Sequence, residues 1–498
     1  MAAPAHHADG ATKAYFDHSS AQRVSTDTVL ARALKEQYPQ LELVITPESN
    51  CALFAFALSG HAALTPVDDA KGDHHGGGKS AALPSSLSWD VYLPPARRLD
   101  GARGGIAERL LFGKFLYRWR DAEFIIYLAD GRDGSNSYPA VTNYYVLCSP
   151  AERPAVDDLL LAAGAWTNEL HDEVWVFDGG YWRKSAELYD SIRKASWDNV
   201  ILDPSMKKAI IDDHLSFYGS RDTYASLKVP WKRGVIYYGP PGNGKTISIK
   251  ATMRMLYDLK DPVPTLYVRT LASFGGPEAA LASIFGMARR YAPCYLVFED
   301  LDTIVGDDAR SYFLNEIDGL KANDGIFIVG STNHLDRLDP GISKRPSRFD
   351  RKYFFPDPDR EQRVAYCHFW QRKLADNKDV DFPDPLCGAI ADITDKFSFA
   401  YMQEAFVASL LAIARENRDG DGEGMLEDDW VGVSAPRRLS SGSSQAASSL
   451  DSWADADDDG ELDKLVLWVQ MKKQVKILRE GMDDKSDGLS GKLDAVSL

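Results

Sequence analysis

Cysteine is scarce and poorly placed for metal or disulfide work. Cys51, Cys148, Cys294, Cys367 and Cys387 are odd in number, scattered, and never in a Cys-x-x-Cys pair. That spacing excludes a structural zinc ribbon and fits a reducing compartment rather than a disulfide framework. Long apolar runs are missing too. The longest strongly apolar stretch, Cys51 to Leu58, breaks at Ser59, Gly60 and His61 and is too short to cross a bilayer. The opening MAAPAHHADGATKAYFDHSS has no apolar signal core, and Asp9 and Asp17 do not suit a transit peptide. The expectation is a cytoplasmic protein without an integral membrane segment. Positive charge is in deficit, with 57 Lys and Arg against 73 Asp and Glu and a net charge of −16. Such a surface repels phosphate backbones, so nucleic acid is not an expected partner.

What is present is ordinary globular composition, 44% hydrophobic and 26% charged, so most of the chain should fold. At about 150 residues per domain, a chain of 498 residues holds two to four domains. Residues 1–65 read as an N-terminal segment. Residues 66–90 are rich in Gly, Ser, Pro and Asp without apolar period and read as a linker, with His74 and His75 solvated rather than metal-bound. Residues 91–195 carry aromatic and β-branched runs, a helical stretch around 156–170 and a strand over 173–177, which together predict a β-rich α/β domain. From 196 to 356, short apolar strands alternate with amphipathic helices, the pattern of a parallel sheet covered on both faces. Residues 357–416 turn helical, as a lid would. Residues 417–460 are an acidic Ser/Gly-rich insert expected to lack order. Its two fragments resembling the start of a calcium loop have Trp430 and Val466 where the bidentate Glu belongs, which argues against calcium. Over 461–482, Leu465, Trp468, Met471, Val475, Leu478 and Met482 recur at helical spacing, predicting an amphipathic helix that packs on the lid. A tail spans 483–498.

The chemistry concentrates between 234 and 352. GVIYYGPPGNGKTISI is a strand, a loop of Gly239, Pro240, Pro241, Gly242, Asn243 and Gly244, and a helix opening on Lys245 and Thr246. In that context the loop amides converge on phosphate oxygens, the helix start adds positive potential, Lys245 reaches the β- and γ-phosphates and Thr246 ligates magnesium. The predicted ligand is therefore a nucleoside triphosphate with Mg2+. A second strand, CYLVF, ends in Glu299 and Asp300, carboxylates at the edge where open α/β sheets bind ligands. One of them holds the magnesium shell and the other polarises water, with the assignment open between them. A third strand ends in STNH, and Asn333 is the candidate sensor of γ-phosphate or attacking water because its amide donates and accepts. Lys344 to Lys352 follow, a cationic run suited to neutralising phosphate in this subunit or a neighbour.

GPPGNGKT, LVFEDLD, FLNEIDGL, STNHLDRLDP and RPSRFDR, in that order over about 196–416, resemble an AAA ATPase module. The resemblance implies a P-loop NTPase fold with a helical lid and a homo-oligomeric ring, hexamer or heptamer. It also implies ATP hydrolysis with Mg2+ and chaperone-like remodelling, unfolding or assembly of protein clients. It assigns Lys245 and Thr246 to the first nucleotide motif and Glu299 and Asp300 to the second, with Glu299 and Thr246 as the metal ligands. Asn333 becomes the first sensor, and Arg348 and Arg351 the arginine fingers given to a neighbouring subunit. Phe274, in Ser-Phe-Gly-Gly, takes the pore-loop position that grips a threaded polypeptide. The Glu299-Asp300 order, reversed from the usual Asp-Glu, is similar to the branch of the mitochondrial chaperone that inserts the Rieske protein, without its transmembrane helix. Phe397-Ser398-Phe399-Ala400 departs from the Ser-Gly-Ala-Asp usual at the lid. Since Asp300 is one methylene shorter than the usual Glu, a nucleotide-gated scaffold with little hydrolysis is the alternative.

Overall fold

The computed structural model describes residues 10–22, 24–67, 86–95, 103–131, 142–318, 321–345, 347–420 and 460–493. His74, His75, most of the 66–90 linker, most of the acidic insert with its calcium-like fragments, and the last five residues lie outside them. The chain forms two compact units, Met1–His171 and Asp172–Leu498.

The first unit is an antiparallel sheet of β1 (Glu42–Pro47), β2 (Ala63–Pro66), β3 (Ser86–Leu93), β4 (Gly105–Trp119), β5 (Ala122–Asp130) and β6 (Thr142–Cys148), ordered β1-β6-β5-β4-β2 with β3 also on β4. Its helices are α1 (Gly10–Ser20), α2 (Thr26–Gln37), α3 (Leu53–Phe56) and α4 (Arg153–Asn168). The two-residue side-chain period sorts β5 and β6 between the faces. Phe124, Ile126, Tyr144 and Val146 pack with Val156, Leu159 and Ala163 of α4, whereas Tyr127, Tyr145 and Leu147 pack with Leu34 of α2. Three strands of this unit differ from the sequence reading. Glu42–Pro47 and Ala63–Pro66, set apart there as part of an N-terminal segment, pair with β6 and β4, and β3 begins inside the expected linker. ELVITP and ALTP are too short for their period to reveal a partner some 50 to 100 residues away along the chain.

The second unit carries β7 (Val174–Asp178), β8 (Tyr181–Ser185), β9 (Lys232–Tyr238), β10 (Thr265–Val268), β11 (Cys294–Phe298), β12 (Ile326–Thr332) and β13 (Arg351–Phe354) in the order β13-β9-β12-β11-β10-β7-β8. Every pair is parallel except the β7–β8 hairpin. The strand near 173–177, read from sequence as part of the smaller domain, therefore extends the parallel sheet by pairing with β10. Around the sheet run α5 (Ala186–Arg193), α6 (Pro204–Gly219), α7 (Arg221–Leu227), α8 (Lys245–Tyr257), α9 (Gly276–Tyr291), α10 (Leu301–Ile304), α11 (Asp307–Asp318) and α12 (Pro340–Ser343). Cys294, Leu296 and Phe298 bury against α9 and α11, while Tyr295 and Val297 bury against α6 and α8. Both faces are covered, which makes the unit a doubly wound α/β sheet. The lid helices are α13 (Arg360–Lys373), α14 (Asp384–Ile393) and α15 (Phe399–Gly420), followed by α16 (Val466–Leu493). Leu467, Trp468, Met471 and Val475 of α16 share one core with Trp370, Ile390, Phe406 and Ile413, and Leu465, Leu478 and Met482 pack at its edge. The architecture is the one the sequence predicts: a doubly wound α/β unit with a helical lid, preceded by a smaller β-rich α/β unit. Among the described residues no helix is long and apolar enough to cross a membrane.

Candidate functional site

β9 is flanked by β12 and β13, and its carboxyl end releases the chain into the loop 239–244. Gly239, Gly242 and Gly244 hold φ of 137°, 80° and 93°, values that L side chains rarely adopt. A Cβ on Gly239 would lie 2.3 Å from the Phe355 carbonyl oxygen. The loop thus needs glycine both for its turn and for its close approach to β13, and it ends on the N-terminus of α8, where backbone N–H groups point outward. Lys245, only 7% exposed, donates from Nζ to the carbonyls of Gly239 at 2.8 Å and Pro240 at 2.7 Å. Burial pushes its pKa down, and the charge of Asp300 works against that shift. Asn243 is fully buried and its Nδ2 donates to Asp357 at 2.8 Å, tying the loop to the segment after β13. Pro241 and Thr246 are exposed at the mouth.

The strand register brings the other candidates to the same edge. Thr332 stands opposite Tyr238 and Phe298 opposite Gly330, so Asn333 and Glu299 emerge beside the loop. Asn333 and Gly239 line one cavity of about 730 Å³, with Pro240, Pro241, Lys344 and Lys352. Glu299 Oε2 accepts a 2.5 Å hydrogen bond from the Tyr267 hydroxyl, and its Oε1 is buried without a partner among the described residues. Burial, then the charge of Glu299, raises the Tyr267 pKa, which keeps that hydroxyl a donor. Asp300 is exposed and sits in the left-handed region at φ 50° and ψ 53°, held there by the bond from its N–H to Ser331 Oγ at 3.2 Å. A non-glycine residue in that region marks local strain, which recurs at functional sites. Thr332 Oγ1 donates to Asp302 at 2.6 Å, so the third acid of the motif secures β12.

The two arginines part company. Arg348 has a side chain only 8% exposed, donating from Nε to Asp318 Oδ2 and from Nη1 to the Gly341 carbonyl, both at 2.6 Å. Arg351 is 57% exposed, with Asp213 at 3.6 Å. In the isolated chain Arg351 is presented outward, and Arg348 is committed to its own domain. Phe274 is 88% exposed on the loop between β10 and α9, beside Gly180 and Tyr181 of the β7–β8 turn. Phe399 does not face the loop. Its ring lies 5.2 Å from that of Tyr366 within the lid, and the approach to Gly242 is made by Ala400, whose N–H donates to the Gly242 carbonyl at 3.2 Å.

Residues 235–357 match the model of the ATPase family associated with various cellular activities (AAA). The chain carries an AAA ATPase domain. The match runs from within β9 to Asp357, the residue tied to Asn243, so it spans the loop, Lys245, Thr246, Phe274, Glu299, Asp300, Asn333, Arg348 and Arg351. The AAA domain is a P-loop NTPase fold, and its residues fit a magnesium nucleotide. Three glycines of positive φ would let the loop amides turn towards anionic oxygens, a buried ammonium stands beside them, and one Glu299 carboxylate oxygen is buried without a partner among the described residues. Sequence reading missed Tyr267, Asp318 and Asp357, because a partner reached across strand order leaves no local mark.

Proposed function

We propose that this chain binds ATP with Mg2+ at the AAA domain and hydrolyses it in a ring of identical copies, driving remodelling, unfolding or assembly of protein clients. The observation that carries the reading is the convergence of the 239–244 loop, Lys245, Glu299, Asp300 and Asn333 at the carboxyl edge of β9, β11 and β12. Loop amides and the α8 N-terminus bind the β- and γ-phosphates, and Lys245 exchanges the carbonyls of Gly239 and Pro240 for phosphate oxygens. Magnesium, held by Thr246 and Glu299, supplies charge neutralisation and Lewis-acid polarisation of the phosphate oxygens. Asp300, exposed and fixed by Ser331, orients the attacking water and takes its proton, and Asn333 hydrogen-bonds the water or the γ-phosphate. Arg351 and Arg348 stabilise the transition-state charge at a neighbouring subunit, Arg351 from its exposed position and Arg348 after release from Asp318. Phe274 contacts the client.

Asp300→Asn tests this reading. It should bind ATP with unchanged affinity, release phosphate at least tenfold more slowly, and sediment with ATP as a ring that retains client protein. Unchanged phosphate release would remove Asp300 from the chemistry, and a monomer at every nucleotide concentration would remove the ring.

A further inference from the structure

β10 and β11 run parallel, with Tyr267 in register with Val297, so Tyr267, Val297 and Glu299 project from one face of the sheet. The strand TLYV ends one residue later, and the Tyr267 ring packs at the edge of the core shared with α6 and α8 while its hydroxyl reaches the first acid of the second nucleotide motif. Its hydroxyl donates to Glu299 Oε2 at 2.5 Å, a charge-assisted O–H···O bond at the short end of the range. The second oxygen, Oε1, is buried and accepts nothing among the described residues. A carboxylate fixed at one oxygen and orphaned at the other is arranged for an incoming donor or cation, since a buried unpaired acceptor is costly unless a ligand satisfies it. A glutamate also carries one more free torsion than the aspartate usual here, so its carboxylate needs an external hold to point in a single direction.

We propose that Tyr267 is a positioning residue for Glu299: its hydroxyl fixes one carboxylate oxygen so that the other faces the divalent cation or a water in its shell. The inference rests on the ATP reading above and extends it to a residue outside the sequence motifs. Tyr267 acts only through Glu299 and touches neither nucleotide nor metal.

The test is Mn2+ binding by the full-length chain in the presence of a slowly hydrolysed ATP analogue, followed by electron paramagnetic resonance. Tyr267→Phe removes one oxygen and keeps the ring. It should weaken Mn2+ about tenfold or more, as loss of an outer-shell partner does, and leave metal-free nucleotide affinity unchanged. The rate at saturating nucleotide should recover partly at high Mg2+. Glu299→Asp draws the carboxylate one methylene away from the hydroxyl, so adding Tyr267→Phe to it should weaken Mn2+ no further. A folded Tyr267→Phe that binds Mn2+ like wild type overturns the proposal, as does a further tenfold loss on the Glu299→Asp background. Absence of nucleotide binding by the wild type would instead defeat the ATP reading itself.

Discussion

Replacing Arg348 with alanine removes two bonds at once, the 2.6 Å contacts to Asp318 and to the Gly341 carbonyl, from a side chain 8% exposed. Asp318, 24% exposed, would keep Lys232 at 3.8 Å and Arg345 at 3.9 Å. Bonds to charged groups contribute about 1.5–3 kcal/mol each, and stranding one partner of a buried pair costs about 3–5 kcal/mol. The two remaining cations offset part of this, so Arg348→Ala should destabilise the second unit by roughly 2–4 kcal/mol. Arg348→Lys keeps the charge but cannot reach Asp318 and Gly341 from one planar fork, and should lose about half as much. Arg351→Ala breaks only an exposed 3.6 Å pair and should cost about 0–1 kcal/mol. Urea unfolding followed by tryptophan emission reports the effect, since Trp197 and Trp231 sit in the core beside α6 and α8. At a slope of about 3 kcal/mol per M the midpoint should fall by roughly 1 M for Arg348→Ala. A midpoint equal to that of wild type would refute the reasoning, because the clasp would then contribute nothing to folding. The consequence for mechanism is practical: lost turnover in Arg348→Ala mixes a folding defect with a subunit-crossing role, whereas Arg351→Ala isolates the latter.

Two further predictions concern the loop and the core. Gly242→Ala places a methyl at φ 80°, 2.5 Å from Ala400 Cβ and 3.1 Å from Ser398 Oγ, and should cost about 1–2 kcal/mol in backbone strain plus about 1–3 in overpacking. Ala400→Gly should relieve only the second part, giving a favourable coupling of about 1 kcal/mol in a double-mutant cycle by urea unfolding; strict additivity would argue against the lid contact. His214 is fully buried, stacked on Phe327 at 4.2 Å, and burial pushes its pKa from 6.5 down to about 4. Between those values the unfolded chain binds the proton and the folded chain does not, so stability present above pH 6.5 is lost as pH falls towards 4, by up to about 3 kcal/mol. His214→Phe should flatten that part of the stability profile, and identical slopes in wild type and variant would exclude His214 as its source.

The nucleotide loop was legible because its signal is local: a strand, a run of glycines and a helix start all lie within 234–249. The acids and Asn333 were legible for the same reason, each following a short apolar strand whose carboxyl end has one meaning in a parallel sheet. What escaped depends on pairing between distant segments. β1 and β2 join β6 and β4 through backbone hydrogen bonds that any sequence of extended propensity can make. The strand over 173–177 reads with the smaller domain because an apolar strand does not state its neighbour, β10. Arg348 shows the same limit at a side chain. RPSRFDR reads as a run of cations suited to neutralising phosphate, and only the fold shows that its second arginine turns inward to Asp318 while its third stays outside.

The central claim, that the 239–244 loop and Lys245 hold the phosphates of ATP, is tested most directly by equilibrium titration of fluorescent ATP with Mg2+ into purified wild type and Lys245→Ala. The wild type should bind saturably. Loss of the ammonium removes charge-assisted bonds of about 1.5–3 kcal/mol, so Lys245→Ala should bind roughly tenfold to a hundredfold more weakly. A wild type that binds no nucleotide, or two proteins that bind it equally, would contradict the account.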